Sequence, residues 1–291
     1  MSSEANVANL LGLARTAQMG GNSEEALGYF NRVLELDPSI SEAWLGKGKA
    51  AGWQSSLANI RLNEALVAFG HAIATASESS KPTVVTDAAE EINKLVSTLY
   101  GMARKQLEQF PSVEGVWPKY VGQVGEMIDA LCEVKTWRPL DRTTLDNIVH
   151  LCKDNIEGYS FRDQLNNGVP SLHQVTDAYE MSLTTKMREA AATIAEIDPS
   201  YAAPAVEKKA AEACFVITAT MGGVDNPEVR LLRQFRDEWI GRRRWGPAFV
   251  RAYYFVGPSL ARAISGSRTL RALSYACVVL PAAWFARRKL R

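Results

Sequence analysis

Small and large apolar residues recur along residues 7–78 at a fixed offset, and this recurrence restricts the fold more than any other feature of the chain. Leu10 and Ala14 are followed 34 residues later by Trp44 and Gly48. Ala26, Phe30 and Val33 are echoed by Ala65, Phe69 and Ala72 after a five-residue insertion near Gln54 to Ile60. A period of this size marks stacked supersecondary units, each too small to bury its own apolar face. Within the first unit, Leu10, Leu13, Ala14 and Ala17 have helical spacing, Gly20-Gly21-Asn22 makes a turn, and Ala26, Phe30 and Val33 resume the spacing. Ser23 is placed to cap the second helix, and Asp37-Pro38 stops it, because proline has no N–H to continue the ladder. Small residues at Ala14/Gly48 and Ala26/Ala65 let paired helices approach, and Phe30 and Phe69 fill the space beside them.

Trp44, Gly48, Ala65, Phe69 and Ala72 in one hairpin, with Ala26, Phe30 and Pro38 in the other, resemble the tetratricopeptide repeat family over about a quarter of the chain. The resemblance implies an all-α fold: a short helical-hairpin array, then further helices and a basic helical C-terminal tail. It also implies a peptide-binding groove on the open face of the first helices, at Leu11, Arg15 and Gln18 in one repeat and Glu42, Leu45, Lys49 and Trp53 in the next. Leu11 with Leu45, and Arg15 with Lys49, are expected to stack as rows. Such a mixed apolar and cationic groove suits a polypeptide partner bearing an acidic residue. The expected function is that of a non-enzymatic protein–protein adaptor or scaffold.

Two repeats need cover, and a helix from about Asp87 to Phe110 with Ile92, Leu95, Val96 and Leu99 on one face can supply it. A middle block, residues 81–212, continues with stripes at Val121, Val124, Ile128 and Leu131, then at Leu145, Ile148, Val149, Cys152 and Ile156, the latter capped by Asp141. Asn166-Asn167-Gly168-Val169-Pro170 reads as a break before a helix from about Gln174 to Ile197. The run Glu196-Ile197-Asp198-Pro199-Ser200 repeats Glu35-Leu36-Asp37-Pro38-Ser39 almost letter for letter, which can mark a degenerate third hairpin or arise by chance.

Charge separates the last segment from the rest. The formal net charge is +1, but residues 228–291 carry 14 Lys/Arg against 3 Asp/Glu, leaving 19 against 29 in residues 1–227. The basic tail is therefore suited to a polyanion, an anionic membrane surface or the acidic part of the same chain. Asn226-Pro227-Glu228 is a helix start. Cys214-Phe215, Thr218-Ala219, Gly222, Pro227-Glu228-Val229, Phe235-Arg236-Asp237 and Tyr253-Tyr254 resemble a C-terminal family called the CFI-box, a resemblance that implies a C-terminal domain over 213–291 and no activity. The stretch Leu270 to Ala286, interrupted by Pro281, is short of the about 20 apolar residues that span a bilayer. With Trp284-Phe285 beside Arg287, Arg288 and Lys289, it predicts either a helix lying in an anionic interface or one packed on the body. The clustered arginines come with no nucleic-acid recognition motif.

No catalytic constellation, metal site or cofactor site is expected. The four cysteines (Cys132, Cys152, Cys214, Cys277) form no C-x-x-C pair, and the three histidines (His71, His150, His173) fall in no pairing motif. Cys214, near a glycine pair and a helix start, is either a packed thiol or a reactive one. Gly222-Gly223 lacks the Gly-Lys-Ser/Thr ending of a phosphate loop. The N-terminus lacks the basic and apolar regions of a signal peptide, so a cytoplasmic chain is expected, associated with a membrane if the tail seats there.

Overall fold

A computed structural model describes residues 3–166, 169–209, 215–222 and 226–290. The chain divides into two units: Met1–Phe110, Glu114–Ile156 and Val175–Val206 form the first, and Pro111–Val113, Glu157–Gln174 and Glu207–Arg291 form the second. Among the described residues the fold is all-α apart from one two-stranded sheet.

Among the described residues, the first unit is a series of helical hairpins: α1 (Ser3–Met19) with α2 (Ser23–Leu36), α3 (Ser41–Gly52) with α4 (Leu62–Thr75), α5 (Lys81–Gln109) with α6 (Val116–Trp137), and α7 (Arg142–Glu157) with α8 (Asp177–Ile197). The small–large pattern is what closes the first two. Leu10, Ala14 and Ala17 of α1 are buried with Ala26, Phe30 and Val33 of α2. A β-carbon on Gly46 would fall 2.1 Å from Phe30 Cζ, and one on Gly48 would fall 2.5 Å from Phe69 Cε1. Each ring thus occupies the volume a side chain on α3 would need. The α1–α2 turn uses Gly21 at φ +75°, a left-handed conformation that glycine adopts without strain. The cap falls one residue before the expected Ser23: Asn22 Oδ1 accepts from Glu25 N at 3.2 Å, and Ser23 is the first helical residue.

The insertion after α3 is tied down by hydrogen bonds. Gln54 Nε2 donates to Ala50 O at 2.9 Å and to Ser23 O at 3.1 Å, and Arg61 Nη1 donates back to Gln54 Oε1 at 2.7 Å. Downstream, the array goes on past the helix expected to cap it. Asn93 of α5, 5% exposed, donates to Thr144 Oγ1 of α7 at 2.9 Å and accepts from Asn147 Nδ2 at 2.7 Å. Tyr100 of α5 donates to the Asp154 carboxylate of α7. Second helices stack likewise, with Lys186 Nζ of α8 2.6 Å from Asp129 Oδ1 of α6. The start of α7 meets the end of α8 through Arg142 and Asp198 at 3.2 Å, so these two run antiparallel as a hairpin.

The repeated Asp-Pro-Ser has one local structure in both places. Asp37 N donates to Val33 O and Asp198 N to Ile194 O, each at 2.8 Å. Each carboxylate then accepts from the serine two residues on, at 2.6 Å for both hydroxyls. Both aspartates are held below the usual carboxylate range by these serine hydrogen bonds.

The second unit contains the strands that the sequence reading took as a break. β1 (Tyr159–Asp163) and β2 (Val169–His173) pair antiparallel, Tyr159 opposite His173 and Phe161 opposite Ser171. Tyr159 and Phe161 are half-buried while Ser160 and Arg162 are exposed, an alternation with the period of a strand. His173 Nε2 bonds Pro111 O at 2.7 Å, and burial pushes its imidazole pKa down. Gly158 enters β1 at φ +77°, where an added β-carbon would fall 2.5 Å from His173 O. Gly158→Ala is expected to destabilise this hairpin by about 1–2 kcal/mol, from left-handed strain plus a backbone clash. Faster hydrogen exchange of β1 and β2 amides, with those of α1–α4 unchanged, is the result that checks it.

The other elements among the described residues of this unit are helices. These are α9 (Phe215–Met221), α10 (Pro227–Phe235) extended by a π turn (Arg236–Ile240), α11 (Gly246–Ser265), α12 (Arg268–Ser274), and α13 (Leu280–Lys289) joined to α12 by a second π turn (Tyr275–Val279). As the sequence indicates, Asn226 caps α10, its Oδ1 accepting from Glu228 N at 3.0 Å, with Pro227 in the first turn. Leu232, Phe235, Val279 and Ala286 make the core of this part.

Candidate interaction surfaces

First helices of successive hairpins lie side by side in the array, so α1 and α3 bring Leu11, Arg15 and Gln18 next to Glu42, Leu45, Lys49 and Trp53. Leu11, Gln18, Leu45 and Lys49 are half-buried; Arg15, Glu42 and Trp53 are exposed. Arg15 of α1 reaches across to Glu42 of α3. Its guanidinium grips Glu42 in a two-pronged ion pair, Nε to Oε1 at 2.5 Å and Nη2 to Oε2 at 2.6 Å. The hydrogen bond and the charge of Glu42 raise the Arg15 pKa further. Trp53 Nε1 donates to the Glu91 carboxylate, tying α3 to α5. Three residues expected to meet a ligand, Arg15, Glu42 and Trp53, thus also fasten one helical hairpin to the next.

In the second unit, Thr218 is half-buried on α9, Gly222 follows it at φ +78°, and Pro227 opens α10. Phe215 is the first residue of α9; Cys214 lies outside the described residues. The last segment corrects the sequence reading. Residues Arg268–Lys289 form one helix of 22 residues, by length and composition able to cross a membrane. Pro281 does not break it, because it sits in the first turn after the π turn, where the helical hydrogen bonds have already been re-phased. Only 17% of the most apolar window is buried. Leu273 is 61% and Trp284 62% exposed, with Leu270, Val278, Leu280 and Phe285 also at the surface. Arg287, Arg288 and Lys289 follow, all exposed. Arg288 lies over the Trp284 ring at 5.7 Å, Lys289 over Phe285 at 5.6 Å, and Arg287 reaches Glu228 at 3.2 Å.

The sequence reading missed an aromatic cleft in this unit. Phe235, Trp239, Trp245, Phe249 and Phe285 wall a space of about 490 Å³. The i, i+4 spacing of Phe235/Trp239 and of Trp245/Phe249 was the available signal; Phe285, more than thirty residues away, was not foreseeable from it.

Two of the histidines pack against aromatic rings. His71 stacks on Trp44 with centroids 4.4 Å apart, and His150 meets Tyr100 edge-on at 5.7 Å. Burial pushes the Cys152 thiol up to about 12 and raises that of Cys132, so neither holds a thiolate at neutral pH; Cys277 is exposed. Among the described residues no three His, Cys, Asp or Glu side chains come together to hold a metal.

The hairpin series defines the first unit as a tetratricopeptide-like helical array, a fold that supports protein-interaction scaffolds. No protein-family model and no curated protein matches the sequence. Among solved structures the chain is similar to the crystal structure of the MamA protein, at 10% sequence identity over 68% of this chain and 97% of that one, with a TM-score of 0.25.

Proposed function

We propose that this protein is a non-enzymatic adaptor that attaches to an anionic membrane through its C-terminal unit and offers a polypeptide-binding face on its helical array. The observation that carries this reading is the Arg268–Lys289 helix: long and apolar, largely unburied, and bounded by Arg268 and Arg271 at one end and Arg287, Arg288 and Lys289 at the other. In water such a surface is unfavourable by roughly 25 cal/mol for each Å² of apolar area left exposed, and a membrane removes that penalty. The basic residues add about 1 kcal/mol each near an anionic leaflet. On the array, the polypeptide lies against Leu11, Gln18, Leu45 and Lys49, with Arg15–Glu42 and Trp53–Glu91 holding the face in shape.

Flotation of the full chain with phosphatidylserine-containing and purely zwitterionic vesicles tests the membrane half. The wild-type chain is expected to float with the anionic vesicles. Leu273→Glu/Trp284→Glu, at two exposed positions, is expected to stay in the pellet fraction. Equal flotation of the variant, or none by the wild type, would refute membrane attachment.

A further inference from the structure

The aromatic cleft lies beside the membrane-seating helix but has a chemistry of its own. We propose that it holds one anionic lipid, a phosphate-headed amphiphile, with an alkyl chain between the rings and the phosphate at Arg236 and its neighbours. At about 490 Å³ the cleft falls within the about 300–1,000 Å³ typical of small-molecule sites. Its rings keep one another upright: Phe285 meets Phe235 and Trp239 edge-on at 5.7 and 5.5 Å, both at 86°, and Trp245 meets Phe249 at 5.9 Å and 90°.

Such walls present water with almost nothing to hydrogen-bond. The Tyr253 hydroxyl oxygen already accepts from Val216 N at 3.2 Å. An alkyl chain, which asks for no polar partner, is therefore the occupant that gains most on entry.

Among the described residues that line the cleft Arg236 is the charged one, and it also lines a second space of about 450 Å³ that Arg230 and Arg233 line beside Ser171 and His173. The three arginines stand three residues apart along α10 and its π turn, on one side of the helix. Guanidinium groups match phosphate in charge and in donor geometry. Both π turns also border the cleft, one through Arg236 and Trp239 and the other through Val278. Widened turns of this kind recur at ligand sites. The assignment rests on the membrane reading for where the lipid comes from, but it is tested without a membrane.

The full-length protein would be titrated, below the micelle concentration, with dodecyl phosphate, dodecyl maltoside and inorganic phosphate, following heat and tryptophan emission. Dodecyl phosphate is expected to bind one to one, about tenfold or more tighter than the maltoside, since one charge-assisted contact is worth about that factor, and inorganic phosphate more weakly than either. Arg233→Gln should bring the two alkyl ligands to within about threefold of each other. Ala282→Trp, which fills the cleft, should abolish alkyl binding. Phe249→Asp, at a wall residue 51% exposed and so tolerant of change, should weaken dodecyl phosphate by about tenfold or more even if the filled variant does not fold. Unsaturable binding, inorganic phosphate binding as tightly as the amphiphile, or full affinity in Phe249→Asp would overturn the site. Flotation lost with the titration intact counts against the membrane reading alone; the reverse counts against the lipid site alone.

Discussion

Phe30→Ala is expected to lower the unfolding free energy of the array by about 3–5 kcal/mol, the range for truncating a fully buried phenylalanine. Phe30 is 1% exposed, and its ring tip rests on the Gly46 backbone of the next hairpin, so the substitution empties the joint between two repeats. Gly46→Ala examines the same joint from the other side. A glycine-to-alanine change inside a helix ordinarily gains about 1 kcal/mol. Here the methyl would fall 2.1 Å from Phe30 Cζ, and overpacking of about 1–3 kcal/mol reverses the sign. Combined with Phe30→Leu, the alanine gains room, so the double variant should be more stable than the two single losses add up to. Urea unfolding of the wild type and the four variants checks this. A Phe30→Ala loss below about 1 kcal/mol would mean that the hairpins do not depend on that contact.

Asn93→Ala is expected to destabilise the array by about 2–3 kcal/mol, and Asn93→Asp by more at neutral pH. The Asn93 side chain donates to Ala89 O and Thr144 Oγ1, both at 2.9 Å, and accepts from Asn147 at 2.7 Å, inside the joint between α5 and α7. Truncation deletes these bonds and leaves a void. A carboxylate there loses both donors and stands near Asp141, whose Oδ2 accepts from Thr144 Oγ1 at 2.6 Å. Burial and that neighbouring charge raise the new acid's pKa in the folded state, so the folded protein binds the extra proton more tightly than the unfolded chain. The deficit of Asn93→Asp relative to Asn93→Ala is therefore largest at neutral pH and shrinks as pH falls toward 5. Thermal unfolding of both variants at pH 7 and pH 5 reads this directly. A pH-independent gap would show that the site is wet.

Much of the array was legible because its signals are local. Ala26 and Phe30, then Ala65 and Phe69, reach their buried positions through the spacing of one helix turn, and the Asp37-Pro38-Ser39 and Asp198-Pro199-Ser200 stops build themselves from backbone and side chains two to four residues apart. The second of those stops ends α8, the partner of α7 in a further hairpin. α5 and α6 carried no such mark: Ile92, Leu95, Val124 and Ile128 predict amphipathic helices but not their place in the series, since burying a stripe does not specify its partner. The strands at Tyr159–Asp163 and Val169–His173 were hidden by length; five residues of alternation beside an Asn-Gly run read equally well as a break.

The first-helix face and the cleft show the same division. Leu11, Leu45 and Lys49 could be placed on the first-helix face from the repeat alone, but the pairing of Arg15 with Glu42 joins residues 27 apart. The aromatic cleft needs Phe235 to meet Phe285, and the length of the last helix depends on a π turn that spares Pro281. By itself, the sequence determined that the hairpin segments are helical, where several of them stop, and which of their faces are apolar, because capping, proline geometry and side-chain spacing act within one turn. Only the tertiary structure decided which faces meet, which charges are spent holding repeats together and which apolar surface stays open, because those outcomes depend on contacts between residues tens of positions apart, which no local pattern encodes.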